Sequence, residues 1–371
     1  MNIKYISGKY ATATIYLIND KRYDIDKYAL EQITQLCNLE ANKDNVIRVM
    51  PDVHPGNGCV IGLTMTLKAE SVLPNLVGTD IGCGVSVTAL DNYTPDFTRL
   101  DSIMASKIPS GFAVHRKIQP YDEIEKLCCA KHVQLDRARK SLGTLGQGNH
   151  FCEVARGNDD RYYLIIHSGS RRLGKEVCEW YLKQGRQTGV PHELTWISGD
   201  LRDQYLHDMQ IVQRFASANR QRIADILLKG MKWKACAYWE SVHNYIDFSR
   251  SIPILRKGAI SSAEGQPVII PGNMRDGSLI GVGKGNAAWN WSAPHGTGRI
   301  ATRESVRNQV TLPAFKKAML GIHSACISRG TLDESPFAYR QLTDIAEAIV
   351  DTVDIQDFLR PVYNFKAGGS K

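Results

Sequence analysis

The stretch LVGTDIGCGVSV (residues 76–87) sets a carboxylate and a thiol three residues apart between two short apolar runs. Asp80 and Cys83 stand among three glycines, which permit backbone conformations and close approaches that other residues resist. Such a loop is either a turn that happens to contain a cysteine or the source of two ligands for a metal ion. The choice depends on whether the rest of the chain supplies further ligands.

The composition is that of a globular protein, with 371 residues of which 43% are hydrophobic and 23% are charged. This length allows one large domain or two ordinary ones. The net charge of +8 suits an anionic partner such as nucleic acid or a nucleotide. Lysine and arginine are dispersed along the chain, however, and form no basic tail.

The cysteine content indicates a reducing compartment. Nine cysteines are an odd number and include no CxxC pair, so we expect a cytoplasmic protein without a disulfide framework. The first residues carry Lys4, Lys9 and Asp20 among short apolar groups, which is unlike a signal peptide. No apolar stretch approaches the length of a membrane helix, so no membrane association is expected.

Short apolar runs that end in polar residues and glycine recur along the chain and predict buried strands followed by loops. They are VIRVMPDVH (46–54), LVGTDIGCGVSV (76–87), RYYLIIHSGSR (161–171) and PVIIPGNM (267–274). Helical periodicity appears in residues 124–142, 204–231 and 342–359, which we interpret as packing elements. Because no repeat or linker interrupts the chain, we expect one domain over residues 1–371 with its polar sites on loops.

Five of the ten histidines stand out, and four of these have glycines within a few residues: His54, His150, His167, His243 and His295. We interpret the other five as structural or surface residues. With Asp80 and Cys83, these histidines make a mixed nitrogen, oxygen and sulfur ligand set that suits zinc, iron, copper or manganese. A single thiolate could also bridge two metal ions, a device that recurs in phosphoryl transfer as paired metals. Ligand chemistry alone leaves the metal and structural interpretations equally open.

Several short glycine-containing loops are rich in hydrogen-bond donors: HPGNG, GQGNH, HSGSRR, IPGNM and HGTGR. The chain has no Walker motif, and GVGKGN (281–286) follows no clear strand into a helix. Arg299 follows His295 by four residues, close enough for both to address one phosphate, and Arg171 and Lys257 are further candidates. Ordinary turns and solvated surface charges are the alternative interpretation.

A series of motifs stands in fixed order along residues 50 to 368: MPDVHPGNG, VGTDIGCG, GTLGQGNHFCE, HSGSRRLG, VHNY, RKGAISS, IPGNM, HGTGR, ESPFAYR and NFKAG. This series resembles that of the RtcB-type RNA ligases, which are GTP- and manganese-dependent enzymes. The resemblance implies an α+β fold with mixed β-sheets flanked by helices around a central cleft for metal and nucleotide. It also implies that RNA 2′,3′-cyclic phosphate or 3′-phosphate ends are joined to 5′-hydroxyl ends.

The resemblance further implies a role for each matching residue. Two Mn²⁺ ions would be held by Asp80, Cys83, His150, His167 and His243, with Cys83 bridging the pair. His295 would be the nucleophile that takes guanylate from GTP, assisted by Asp52 and Arg299, with His54 in a supporting role. The GTP contacts would come from Asn149, Glu153, Lys366, Arg299 and Tyr339.

The chain departs from the family pattern in loops that would touch nucleotide or RNA. Pro294 replaces the usual serine, Asn273 replaces another serine, Arg172 replaces a glycine, and HPGNG lacks a common lysine. The chain is also shorter than many members and resembles a divergent bacterial branch. These changes keep open an enzyme that caps or hydrolyses 3′-phosphate ends without sealing them, and a non-catalytic RNA-binding protein. The RNA partner would be a tRNA, rRNA or mRNA fragment, and an archease-like activator is a candidate partner.

Overall fold

A computed structural model describes residues 2–68, 70–185, 187 and 189–367. The strands are β1 (Asn2–Ser7), β2 (Thr12–Leu17), β3 (Ile47–His54), β4 (Ile61–Thr66), β5 (Ser71–Val72), β6 (Gly84–Asn92), β7 (Phe151–Arg156), β8 (Tyr162–Ser168), β9 (Ile197–Ser198), β10 (Lys234–Val242), β11 (Asn244–Asp247), β12 (Ile254–Lys257), β13 (Ala259–Ser261), β14 (Pro267–Pro271), β15 (Ser278–Gly283), β16 (Ser292–Pro294) and β17 (Val353–Lys366). The helices are α1 (Lys27–Cys37), α2 (Pro74–Val77), α3 (Phe97–Lys107), α4 (Leu135–Ser141), α5 (Arg171–Gln184), α6 (Gly199–Met231), α7 (Arg303–Gln309), α8 (Leu312–Ala318) and α9 (Leu342–Ala348).

Two large sheets organise the described residues. One has the order β1-β2-β3-β4-β12-β11 and is mixed, because β2 and β3 are parallel while its other pairs are antiparallel. Helix α1 lies in the connection between the parallel strands, as parallel pairing requires a crossover. The other sheet has the order β10-β6-β8-β7-β17-β15-β14 and is antiparallel. The predicted α+β fold with mixed sheets and flanking helices is confirmed; the single domain over residues 1–371 stays a prediction.

The centre of the seven-stranded sheet is buried on both faces. Along β8, Leu164 and Ile166 pack in one apolar cluster with Ile223 and Leu227 of α6, while Ile165 between them packs in another cluster. Strands covered on both faces read as continuous apolar runs, which is why RYYLIIHS lacks polar alternation. The sheet therefore holds its strand ends, where polar residues begin, in a rigid frame.

The stretch that carries Asp80 and Cys83 turns from α2 into β6 against helix α6. At Gly82, where φ is +73°, a Cβ atom would lie 2.7 Å from Cα of Gln213 in α6. The loop thus depends on glycine for both its backbone conformation and its close approach to the helix. The structure in this way fixes where the carboxylate and the thiol stand.

Two of the three predicted helices were wrong in extent. Residues 342–359 form α9 only as far as Ala348, and the remainder enters β17, because Val353 and Ile355 alternate with exposed polar residues at the period of a strand. In residues 124–142 only α4 is α-helical, because the backbone N–H groups of Cys128 and Cys129 donate to the buried Asp208 carboxylate instead. The third prediction, residues 204–231, lies within α6 and is confirmed.

Among the described residues, no helix combines the length and the apolar run that a membrane crossing needs.

Candidate active site

The five residues expected to bind metal come from neighbouring strand ends and the loops beside them. Cys83 directly precedes β6 and His243 directly follows β10, and these strands pair with Gly84 opposite Val242. His150 directly precedes β7, and Phe151 of β7 is opposite His167 of β8. Because β10, β6, β8 and β7 are successive neighbours in one sheet, residues distant in sequence meet at one edge.

The Cys83 thiol lies at the centre of this cluster. Its sulfur is 3.4 Å from Nε2 of His150 and 3.3 Å from Nε2 of His167. The carboxylate of Asp80 lies 3.1 Å from the same His150 nitrogen. Ligand atoms of Cys83, His150 and His167 all lie within 4.8 Å of one another, and the three residues are buried. The structure thus brings Cys83 next to a histidine that lies 84 positions away in the sequence.

The outer nitrogens of both rings face backbone carbonyls. Nδ1 of His150 lies 3.0 Å from the Leu145 oxygen, and Nδ1 of His167 lies 3.1 Å from the Asn149 oxygen. Because a carbonyl only accepts, Nδ1 of His167 carries the proton and its Nε2 lone pair faces Cys83. At His150, Nδ1 also faces the Arg171 guanidinium at 3.2 Å, and Nε2 lies between the Cys83 sulfur and the Asp80 carboxylate. Burial lowers the pKa of His167 well below its usual value, which keeps that ring neutral. This arrangement of ring nitrogens is the one that metal-binding histidines adopt.

His243 completes the group of imidazoles. Its ring centroid lies 5.1 Å from that of His167 and 4.8 Å from that of His295. Burial lowers its pKa well below the usual value, so the ring is neutral. Its Nδ1 is buried and has no hydrogen-bond partner among the described residues. A buried nitrogen without a partner is costly, and a ligand that it could bind would remove that cost.

Asp80 is held as a carboxylate. Burial raises its pKa, but the hydrogen bond and charge of His150 and the charge of Arg171 outweigh burial and leave the pKa below its usual range. The Ser170 backbone N–H donates to its other oxygen at 3.1 Å. Gly169 allows this approach, because a Cβ there would lie 2.2 Å from that oxygen. The carboxylate is therefore both ionised and fixed in position.

The donor set fits a bound divalent metal. A thiol, three imidazoles and a carboxylate provide soft, intermediate and hard ligands in one cluster, and His243 has an unused nitrogen. Burial and the Asp80 charge raise the pKa of the Cys83 thiol well above its usual value. A divalent cation would reverse that effect, because a coordinating thiol loses its proton.

His295 pairs with Asp52 beside the cluster. Nδ1 of His295 donates to the Asp52 carboxylate at 2.7 Å, so its Nε2 is left with a free lone pair. The Asp52 side chain is 0% exposed and that of His295 is 15% exposed. The guanidinium of Arg340 donates to the backbone carbonyls of Asp52 and Val53, which fixes the position of the pair. A histidine oriented by a buried carboxylate is a common arrangement for a nucleophile or a base.

A network of charges connects the residues expected to contact nucleotide. The Lys366 ammonium lies 2.8 Å from the buried Glu334 carboxylate, which also accepts a hydrogen bond from the Tyr339 hydroxyl. The Arg299 guanidinium donates to the Tyr339 hydroxyl at 3.3 Å and lies 3.5 Å from Glu334. Burial raises the pKa of Glu334, but Lys366 and Arg303 outweigh burial and lower it to about 2. The structure thus brings Lys366, Tyr339 and Arg299 together around an acid that we did not predict.

Glu153 is buried beside Asn364 on the paired strands β7 and β17. The Asn364 amide donates to one Glu153 oxygen at 2.7 Å. The other Glu153 oxygen and the amide oxygen of Asn364 have no partners among the described residues. Burial raises the pKa of Glu153 to about 8, although Asn364 and Lys366 act in the opposite direction. Two buried oxygens are thus left available for donors of a ligand, and such donors would favour the ionised form of Glu153.

A cavity of about 420 Å³ opens next to the Cys83 cluster. Asp80, Asn149, His150 and Arg171 line it, and Arg172 lies at its wall in an ion pair with Glu176. Asn149 therefore lies between the metal-ligand candidates and the open space of the cavity. Arg171, at the start of α5, is among the phosphate candidates that the structure places at the site.

Lys257 does not join the site. Its buried ammonium donates to the backbone carbonyls of Asn57 and Asn75, so it ties two loops together instead of facing a phosphate. His54 lies next to the His295 pair and donates from Nδ1 to the Asp52 carbonyl at 2.9 Å.

Two of the departures from the family pattern have local partners. Asn273 accepts hydrogen bonds from the backbone N–H groups of Arg275 and Asp276, and Pro294 is paired with Ala259 in a two-stranded sheet. These two departures are thus accommodated locally.

Two polar residues of α6 that we did not predict lock the site loops. Asn219 accepts from the backbone N–H groups of Gly143 and Thr144 and donates to the Gly169 carbonyl. Arg220 is fully buried and donates to the carbonyls of Gly82 and Ser168. The helix is therefore more than a packing element. A signal was present in the sequence, because adjacent polar residues interrupt the apolar stripe between Phe215 and Ile223.

Comparison with known proteins gives one family. The family model described as "tRNA-splicing ligase RtcB" matches residues 32–132 and 122–367. The RNA-splicing ligase RtcB of Escherichia coli strain K12 is 29% identical over 364 residues, covering 85% of this chain and 88% of that protein. The tRNA-splicing ligase RtcB of Aeropyrum pernix is 28% identical over 422 residues, covering 87% of each chain. The RNA-splicing ligase RtcB of Mycobacterium bovis is 26% identical, covering 81% of this chain and 91% of that protein.

Proposed function

The chain belongs to the RtcB family, and from this membership and the site geometry we propose how it acts as an RNA ligase. In this proposal it joins RNA 2′,3′-cyclic phosphate or 3′-phosphate ends to 5′-hydroxyl ends, using GTP. The observation that carries the proposal is the His295–Asp52 pair, whose imidazole stands 4.8 Å from that of His243 beside the Cys83 cluster. An oriented imidazole beside a set of candidate metal ligands supports the assignment of His295 as the nucleophile.

His295 is the nucleophile in this scheme. Its Nε2 lone pair attacks the α-phosphorus of GTP, a nitrogen–phosphorus bond forms, and the bond to the β-phosphate oxygen breaks with release of pyrophosphate. Asp52 keeps the proton on Nδ1 and stabilises the positive charge that develops on the ring. The Arg299 guanidinium stabilises the charge that builds up on the phosphate oxygens.

Two transfers follow from the guanylylated histidine. An oxygen of the RNA 3′-phosphate attacks the same phosphorus, the nitrogen–phosphorus bond breaks, and an RNA-(3′)pp(5′)G end forms. The RNA 5′-hydroxyl then attacks the 3′-phosphorus, and GMP leaves as the phosphodiester is completed. A cyclic phosphate end is first opened by water to a 3′-phosphate.

In this proposal, Asp80, Cys83, His150, His167 and His243 are the residues that would hold two Mn²⁺ ions. When bound, the metals would supply a pair of positive charges that orient phosphate oxygens and stabilise a leaving group. The unpartnered Nδ1 of His243 and the two Nε2 atoms facing Cys83 support this assignment. The chain's own contribution is to hold these donors rigid through Asn219, Arg220 and the backbone carbonyls.

The guanine base is assigned to Glu153 and Lys366, with Tyr339 nearby and Asn149 toward the phosphates. The unpartnered oxygens of Glu153 and Asn364 form an acceptor pair that matches the ring N–H and amino donors of guanine. Binding of the base requires Lys366 to share or exchange its contact with Glu334.

We also assign the activity to the cytoplasm, since all nine cysteines are free thiols.

Labelling with GTP tests the nucleophile. Incubation with labelled GTP and Mn²⁺ should give a protein–GMP adduct that is labile in acid and stable in base, as expected for a phosphoramidate. His295→Ala should form none, whereas His192→Ala, which removes an exposed histidine elsewhere, should form as much as the parent protein. An adduct of equal yield in His295→Ala would contradict the assignment.

Sealing is tested separately. A nicked RNA with 3′-phosphate and 5′-hydroxyl ends should be joined, with and without an added archease-type protein to determine whether an activator is needed. Accumulation of only the guanylylated 3′ end in both reactions would favour the alternative function, an enzyme that caps ends without sealing them.

A further inference from the structure

A second region with the chemistry of a nucleic-acid surface lies outside the site described above. A groove of about 520 Å³ is lined by Arg48, Lys68, Arg250, Ile252, Asn290 and Trp291 among others, and we call it the Trp291 groove. Three of its lining residues are cationic and none is acidic. In the described chain, neither Lys68 nor Arg250 has a carboxylate within ion-pair distance, and Arg48 donates to the backbone carbonyls of Ala288 and Ile47. The groove therefore has uncompensated positive charge.

An aromatic ring stands within this charged surface. The Arg250 guanidinium lies 3.9 Å from the ring centroid of Trp291, a cation–π arrangement. Ile252 adds an apolar side chain that is 41% exposed. Aromatic rings beside cations are what proteins use to bind single-stranded nucleic acid, since bases stack on the ring while the cations contact phosphates.

The backbone holds Trp291 in place. Asn290 and Trp291 both have positive φ, at 50° and 48°, which side chains rarely adopt. The conformation is fixed because the Asn290 amide donates to the Val46 carbonyl and the buried Arg256 donates to the Trp291 carbonyl. A strained conformation that is fixed from several sides indicates a position with a role beyond packing.

The groove is close to the His295 pair along two chain segments. Trp291 precedes His295 by four residues through β16, and Arg48 precedes Asp52 by four residues in β3. At about 3.3 Å per residue, each path covers about 13 Å. The groove residue at one end of each path and the residue of the His295 pair at its other end are thus at most about 13 Å apart.

We propose that the Trp291 groove binds a single-stranded segment of the substrate RNA, with an unpaired base on Trp291 and phosphates at Lys68 and Arg250. This inference rests on the proposed function, because it names the part of the substrate that this surface would hold. The charge favours a polyanion, and the partly exposed ring of Trp291 favours unpaired bases over a duplex, whose bases are already stacked.

Binding to an RNA that cannot be ligated tests the groove. The probe is a single-stranded oligonucleotide with hydroxyl groups at both ends, and its affinity is measured by fluorescence anisotropy over a range of salt. Lys68→Gln/Arg250→Gln should bind roughly ten-fold more weakly at low salt, and the slope of log affinity against log salt should fall by about 1.4, or 0.7 for each lost phosphate contact. Lys183→Gln/Lys229→Gln removes the same charge from exposed ends of α5 and α6 and should bind as the parent does.

Stacking is tested with two substitutions of the tryptophan. Trp291→Ala should weaken binding of the single strand but leave binding of an RNA duplex unchanged, while Trp291→Phe should retain most of the affinity. Equal losses for single strand and duplex would overturn the stacking contact. If Lys68→Gln/Arg250→Gln and its control variant bind the single strand with equal affinity, the proposal that this groove binds RNA is contradicted.

Formation of the GMP adduct, which requires no RNA, is measured in parallel on every variant. Loss of the adduct in Lys68→Gln/Arg250→Gln would mean that these residues act on the GTP site, which also overturns the groove. If the parent protein forms no adduct while RNA binding still depends on the groove, the ligase mechanism fails and the groove stands.

Discussion

The Cys83 cluster and the Glu334 network differ in how far they are complete without a ligand. Around Cys83 the donors converge but are not mutually satisfied, since the buried Nδ1 of His243 has no partner in the described residues. Around Glu334 every charge already has a counter-charge, with Lys366 at 2.8 Å and Arg303 beside it. The Cys83 cluster therefore has donor atoms available for a metal ion. The Glu334 network, in contrast, must exchange partners when a nucleotide binds. Variants should therefore fail in different ways in the two regions.

The largest effect is expected from Cys83→Ala. It should lose bound manganese and reduce adduct formation by more than about 100-fold, because even residues outside the ligand set are typically worth 10- to 100-fold. Folding should persist, since the cluster lies on loops held by Asn219 and Arg220. Elemental analysis, adduct yield and circular dichroism measure these effects, with Cys178→Ala as a buried-cysteine control. Retained manganese in Cys83→Ala would remove the proposed bridging role.

Asp52→Asn should slow formation of the GMP adduct without changing the amount of bound manganese. The asparagine keeps the shape of the side chain but cannot stabilise positive charge on the His295 ring, so the adduct should form about 10²- to 10⁴-fold more slowly. Manganese content should equal that of the parent, which separates this pair from the Cys83 cluster. A parallel loss of metal would show that the two groups act as one unit.

Glu334→Gln should affect stability more than chemistry. Removing the carboxylate leaves Lys366 as an uncompensated charge at a position where both side chains are less than one-tenth exposed. Breaking a buried ion pair in this way costs about 3–5 kcal/mol, which urea unfolding of the metal-free protein would detect. Asp354→Asn changes an exposed acid and serves as the control. Unchanged unfolding free energy would mean that the network is not the self-sufficient region described above.

The smallest effect is expected from Glu153→Gln in the absence of nucleotide. Burial raises the Glu153 pKa from 4.5 to about 8, so the native protein favours the neutral acid. Stability associated with this group is therefore present below pH 4.5 and is lost as the pH rises toward 8. Glu153→Gln has no group to ionise at this position, so its unfolding free energy should increase relative to that of the parent protein between pH 4.5 and pH 8. Its preference for GTP over ATP should fall. A pH-independent difference would show that Glu153 is solvated.

The sequence predicted the first region better than the second. Asp80, Cys83 and the histidines are marked by glycines and by strand-like runs, so their ligand chemistry is visible locally. Glu334 and Asn364 have no such marks, because their importance comes from pairing with residues far along the chain. Asn219 and Arg220 were hidden in a helical pattern, and Lys257 was misplaced because a buried lysine that holds carbonyls has the same local sequence as one that binds phosphate. The fold class was predictable, whereas β17 was not, since its alternation begins directly after a helix.

Peptide mapping shows whether His295 receives guanylate beside the Cys83 cluster. The protein is incubated with GTP and Mn²⁺, digested under basic conditions that preserve a phosphoramidate, and analysed by tandem mass spectrometry. GMP is expected on the peptide that contains His295, localised to that side chain, and none is expected after metal removal. Guanylate on a lysine or on another histidine, or no guanylate at all on metal-loaded protein, would contradict this expectation.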